Sequence, residues 1–127
     1  MKYLGIDYGE SKVGLALGDS ETCLSMPFKI VKNDGTIKLL VEIIEIIKKE
    51  KIDKIVIGLP INTRGEKSEQ TNKTKRFADQ MTEEAGCEVI LHDERFSSAQ
   101  ANKMRPGQSD DDLAASIMLQ DYLDKNK

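Results

Sequence analysis

Tyr3-Leu4-Gly5-Ile6-Asp7-Tyr8-Gly9-Glu10-Ser11-Lys12-Val13-Gly14-Leu15-Ala16-Leu17 is the stretch on which the fold turns. Apolar residues recur on both sides of Gly9-Glu10, which predicts two strands over residues 3–7 and 12–17 joined by a tight turn. Residues 23–31 form a third run of the same kind after the Asp19-Ser20 break, so the first third reads as an antiparallel meander. Gly14 and Ala16 alternate with Val13, Leu15 and Leu17, as suits a sheet with one face against closely packed helices.

Beyond Asp34-Gly35, Ile37, Leu40, Val41, Ile44 and Ile47 recur at helical spacing, with Lys48 and Lys49 at the favoured C-terminal end, and predict a core-facing helix. Residues 54–60 are a short apolar run of the kind found in a strand buried on both faces. A helix over residues 67–85 stops at Gly86, and residues 88–92 are another short strand. Ser97 with Gln100 forms a capping box for a further helix, and residues 110–125 are the last. The order βββαβαβαα, without repeat or internal linker, predicts one α/β domain over residues 1–127. Its five-stranded mixed sheet should be flanked by helices on both faces.

Composition agrees. The 127 residues carry 19 Lys and Arg against 22 Asp and Glu, a net charge of −3, and 39% are apolar, which excludes the disordered class. Cys23 and Cys87 are too few for a disulfide framework. Asp7 interrupts the N-terminal apolar stretch, so a cytoplasmic protein with reduced thiols is expected. The most apolar window, residues 37–47, is broken by Lys38, Glu42 and Glu45, so no membrane span is expected.

In open sheets of this type ligands sit beyond the C-terminal strand ends. That draws attention to Asp7 and to the pair Asp93-Glu94. Ser109-Asp110-Asp111-Asp112 opens the last helix, and three acids there suit the positive end of its dipole. Asp111, however, falls near the middle of the arc of Ile117, Met118, Leu119, Tyr122 and Leu123, so it should face the sheet, with Asp110 and Asp112 on its flanks and solvent-facing. An inward acid beside other acids is costly unless a cation neutralises it. Asp7, Glu94 and Asp111, without His or Cys, suit oxygen-liganded Mg²⁺ or Mn²⁺ rather than zinc. For any one of the three, a buried structural carboxylate is the plain alternative.

Leu4-Gly5-Ile6-Asp7-Tyr8-Gly9, Val13-Gly14-Leu15-Ala16 with Asp19, Gly58-Leu59-Pro60, Asp93-Glu94-Arg95, and Asp111 followed by Ala114-Ala115 and Ile117-Met118-Leu119-Gln120 together resemble the YqgF family. That family is similar to the RuvC Holliday-junction resolvases. The resemblance covers nearly the whole chain and implies an RNase H-like fold and a nuclease with metal-binding acids at Asp7, Glu94 and Asp111. The implied role is maturation of the 5′ end of pre-16S rRNA, with the ribosome as a partner, or resolution of branched DNA. Two ions would share Asp7, with Glu94 and Asp111 holding one each, and Gly9 would leave room for substrate. Between Arg95 and Asp111 this chain is shorter and less basic than the family pattern, keeping only Lys103 and Arg105 before Pro106-Gly107. Either a substrate loop is lost or a segment is omitted there, and a break in Cα spacing between Lys103 and Ser109 would mark an omission.

Asn62, Arg64, Lys67, Lys73 and Arg76, in the loop after residues 58–60 and along the next helix, are expected to grip phosphates without reading sequence. For Lys73 and Arg76 a solvated helix face is the alternative. Arg95 either contacts phosphate or pairs with a neighbouring acid, and His92 is expected to be a partly buried strand residue. Two other classes compete. Asp7-Tyr8-Gly9 with Gly14 also resembles the phosphate hairpin of the actin and hexokinase group, which needs a second such domain. A binding module that holds RNA, ribosome or protein without cleaving it is the other.

Overall fold

The computed structural model describes residues 1–60, 69–93 and 111–126, with 111 and 112 by their backbone only. Strands β1 (Lys2–Tyr8), β2 (Lys12–Asp19), β3 (Leu24–Lys32), β4 (Lys54–Leu59) and β5 (Glu88–Asp93) form one sheet in the order β3-β2-β1-β4-β5. The meander pairs antiparallel, whereas β4 joins β1 and β5 joins β4 in parallel. A register shift at Leu15/Ala16 forms a bulge that skips Phe28 in β3.

Period-2 alternation sorts the strands into two faces. Leu4, Ile6, Val13, Leu15, Ile55 and Ile57 pack with Leu39 and Ile43 of α1 (Thr36–Glu50) and with Phe77 and Met81 of α2 (Glu69–Ala85). Tyr3, Ala16 and Val56 pack on the other face with Ala115, Met118, Leu119 and Leu123 of α3 (Asp111–Lys125). The sheet is therefore covered from both sides, and central β4 is buried from Ile55 to Leu59.

The phase of α1 differs from the sequence reading. Leu39, Ile43, Ile46 and Ile47 are buried, whereas Ile37 is 80% and Val41 53% exposed. The helix carries apolar residues around most of its circumference, so two overlapping stripes satisfy the same i, i+3, i+4 spacing, and packing on the sheet selects the one through Leu39 and Ile43.

Close contacts orient α3. A Cβ added to Gly5 would lie 3.0 Å from Leu119 Cβ and 3.4 Å from the Ala115 carbonyl oxygen. One added to Gly18 would lie 2.8 Å from Leu119 Cδ2 and 3.1 Å from Leu123 Cδ1. Gly18 pairs with Tyr3, two residues before Gly5. From Leu119 to Leu123, then, α3 travels from the level of Gly5 to the level of Tyr3, antiparallel to β1. Its N-terminal turn lies toward the Asp7 end of the sheet.

Candidate active site

Asp7 has the parity of Tyr3 and Gly5, so it belongs to the face that α3 covers, at the C-terminal end of β1, and it is half-buried. The eight residues from 119 back to 111 advance about 12 Å along the helix, against about 6.6 Å along the strand from Gly5 to Asp7, so the backbone of residue 111 lies at the Asp7 end of the sheet. Along α3, Ala115, Ser116, Met118 and Leu119 are all buried. The orientation expected for Asp110 and Asp112 concerns side chains outside the described residues.

On β5, Ile90 pairs with Val56 and His92 with Gly58, which assigns both to the α3 face. His92 Nε2 is 2.7 Å from Asp121 Oδ2 on α3, and its ring meets Tyr122 edge-on. Burial pushes the Asp121 carboxyl up, but the hydrogen bonds from His92 and Lys125 outweigh it and hold the group below its ordinary range. Asp93, the other member of the acidic pair, is exposed and has the parity of the opposite face.

The turn after Asp7 is held by side chains that sequence reasoning passed over. Asn33 Nδ2 donates to the Gly9 carbonyl at 2.8 Å, and Gln70 Nε2 donates to the Tyr8 carbonyl at 3.2 Å. Tyr8 stacks on Phe77 at 4.5 Å between centroids, and the Thr71 hydroxyl donates to the Pro60 carbonyl at the end of β4. The first turn of α2 thereby ties the ends of two central strands. Gly9 serves the turn itself: a Cβ there would stand 2.5 Å from the Lys12 carbonyl oxygen, so the missing side chain makes room for backbone and not for substrate.

Lys73 makes an ion pair with Glu10, which lowers the Glu10 carboxyl below its ordinary range and raises the Lys73 ammonium. Arg76 is exposed on the same helix. Asn62, Arg64, Lys67, Glu94, Arg95, the helix expected from Ser97 and the segment Lys103 to Ser109 lie outside the described residues. Among the described residues no three His, Cys, Asp or Glu side chains form a metal cluster, and no helix is long and apolar enough to cross a membrane.

The family model described as "RuvX: Holliday junction resolvase" matches residues 1–125. The chain is 31% identical to a Chloroflexus aurantiacus protein named "Putative pre-16S rRNA nuclease", covering 98% of this chain and 87% of that one. Their alignment spans 133 positions against the 127 residues here, so that relative carries residues this chain lacks. In fold, the chain is similar to T. thermophilus RuvC in complex with a Holliday junction substrate, with a TM-score of 0.64 and 15% identity over 99% of this chain and 95% of that one. It is also similar to the fowlpox virus resolvase in a Holliday junction DNA complex, with a TM-score of 0.59 and 16% identity over 99% of each chain. These likenesses show an RNase H-like fold.

Proposed function

The chain belongs to the RuvX family, also written YqgF, and from that membership we propose a nuclease that hydrolyses phosphodiester bonds of structured nucleic acid at Asp7, Glu94 and Asp111. The substrate proposed is the 5′ end of pre-16S rRNA, with the ribosome as partner, in line with the name of the Chloroflexus relative. Branched DNA is the second reading, favoured by the description of the matching family. The protein acts as one domain in the cytoplasm, in keeping with its two free cysteines, Cys23 and Cys87.

The observation that carries the reading is the shared face and end of the sheet. Asp7 lies on the α3 face, and the N-terminal turn of α3, which carries residue 111, lies at the same end of the sheet. The donor set fits a hard cation. It is carboxylate throughout, and the only histidine, His92, is engaged by Asp121. When bound, Mg²⁺ or Mn²⁺ supplies Lewis-acid stabilisation of the phosphoryl oxygens and a nucleophilic water at neutral pH.

The chain's own residues orient the reacting groups. Asn33 and Gln70 fix the two peptide carbonyls that follow Asp7, so its carboxylate is presented without reorganisation. Asn62, Arg64, Lys67, Lys73, Arg76 and Arg95 contact phosphates, with Lys73 exchanging Glu10 for the substrate.

Incubating the chain with RNA spanning the pre-16S 5′ end, and with a four-way DNA junction, tests the reading in Mg²⁺, Mn²⁺ or excess EDTA. Ion-dependent cleavage of the RNA is expected. Cleavage that persists in EDTA contradicts the carboxylate site, and intact RNA and DNA under every condition contradict the nuclease.

A further inference from the structure

We infer that Lys12 and Lys32 form a contact for the phosphodiester backbone beside Asp7, outside the basic loop and helix already named. The inference rests on the nuclease reading and extends the substrate path of that site across β2 and β3.

Strand register places the two lysines. Asp7 lies opposite Gly14, which lies opposite Ile30, and Lys12 lies opposite Lys32. Gly14 shares parity with Ala16 and Gly18, which pack on α3, so Lys12 two residues earlier belongs to the same face. Lys32 follows by its pairing. One strand spacing and two residues of rise separate the α-carbons of Asp7 and Lys12, about 8 Å. That is the reach of a lysine side chain serving a phosphate next to the one at the carboxylates.

Electrostatics give the pair a purpose. Like charges directly opposite across antiparallel strands are destabilising. The fold offers little to offset them. Lys12 makes no ion pair among the described residues, and Lys32 reaches only Asp34 at 3.6 Å, with both groups largely solvated. Glu10, the acid nearest in the turn, is held by Lys73 of α2 on the opposite face. Ile30, beside the pair on the α3 face, is 37% exposed, so this corner is open to a polyanion. Two flexible ammonium groups, one of them without an ion pair among the described residues and the other held only by a solvated Asp34, suit phosphates as point charges and carry no sequence preference.

The test is binding of a fluorescent RNA hairpin and a fluorescent four-way DNA junction to the full chain in EDTA, across a series of salt concentrations. For Lys12→Ala with Lys32→Ala, affinity at about 0.1 M salt should fall about five- to tenfold, and the slope of log affinity against log salt should become shallower by about 1.4–1.8. The variant should melt no lower than the wild type, since a like-charge pair is removed. Lys48→Ala with Lys49→Ala, in the last turn of α1 on the other face, should change neither affinity nor slope. A loss confined to one probe supports the contact and names its polynucleotide. Unchanged slopes on both probes, or an equal loss in the α1 variant, overturn the contact while the nuclease reading stands. A wild type that binds neither probe overturns both.

Discussion

Leu119 rests on Gly5 so closely that a methyl group there would stand 3.0 Å from its Cβ, with the Ala115 carbonyl oxygen at 3.4 Å. This contact fixes how far α3 slides along β1, and therefore where its N-terminal turn stands relative to Asp7. Gly5→Ala should push the helix backbone and cost about 1–3 kcal/mol. Gly18→Ala meets the ends of the Leu119 and Leu123 side chains, which can rotate away, and should cost less. Urea denaturation of both variants checks the order, and cleavage should fall further in Gly5→Ala.

Asp121 ties α3 to β5 through His92, and its carboxyl is held below the ordinary value of 3.8 although burial alone would raise it. A depressed carboxyl stabilises the fold above its unfolded pKa, and that contribution is lost as pH falls through the folded pKa. Asp121→Asn should therefore lower stability at pH 7, by less than about 1 kcal/mol because the group is largely solvated. The difference from wild type should shrink in acid below 3.8. Thermal melts from neutral pH into that range give the comparison.

The meander and the two parallel strands were legible because alternation between Val13 and Gly14, or Ile6 and Asp7, is a local property of the chain. The phase of α1 was not, since Ile37-Val41 and Leu39-Ile43 satisfy one periodicity and only the sheet chooses between them. Of the site, the strand-end rule found Asp7, and its parity with Gly5 gives the face. Asn33 and Gln70 carry no sequence signal: each donates to a carbonyl 24 or 62 residues away, a pairing that exists only once β3 and α2 have packed. Parity also separates Asp93 from His92, a distinction available once β5 is set in register with β4.

Gln70→Ala removes the donor to the Tyr8 carbonyl and leaves the rest of α2 in place. Stability should drop by about 1 kcal/mol. If the clamp holds Asp7 in its working geometry, kcat should fall several-fold with KM little changed, and apo-protein affinity for Mn²⁺, read by electron paramagnetic resonance, should weaken. A loss of stability with unaltered Mn²⁺ affinity would reduce Gln70 to a purely architectural contact.

Glu10 competes with phosphate for Lys73. Glu10→Gln should tighten nucleic-acid binding about two- to threefold at low salt, with the gain fading as salt screens the lysine. Weaker binding in this variant would remove Lys73 from the substrate path.

Asp7→Asn tests the central claim most directly, through cleavage of the pre-16S 5′ RNA at saturating Mg²⁺ and at saturating Mn²⁺, alongside a thermal melt of the same sample. In the proposed site three carboxylates would repel one another without a cation, so the variant should melt at or above the wild-type temperature. Its cleavage should fall more than about a hundredfold in both ions. Undiminished cleavage by a folded Asp7→Asn protein would contradict the account.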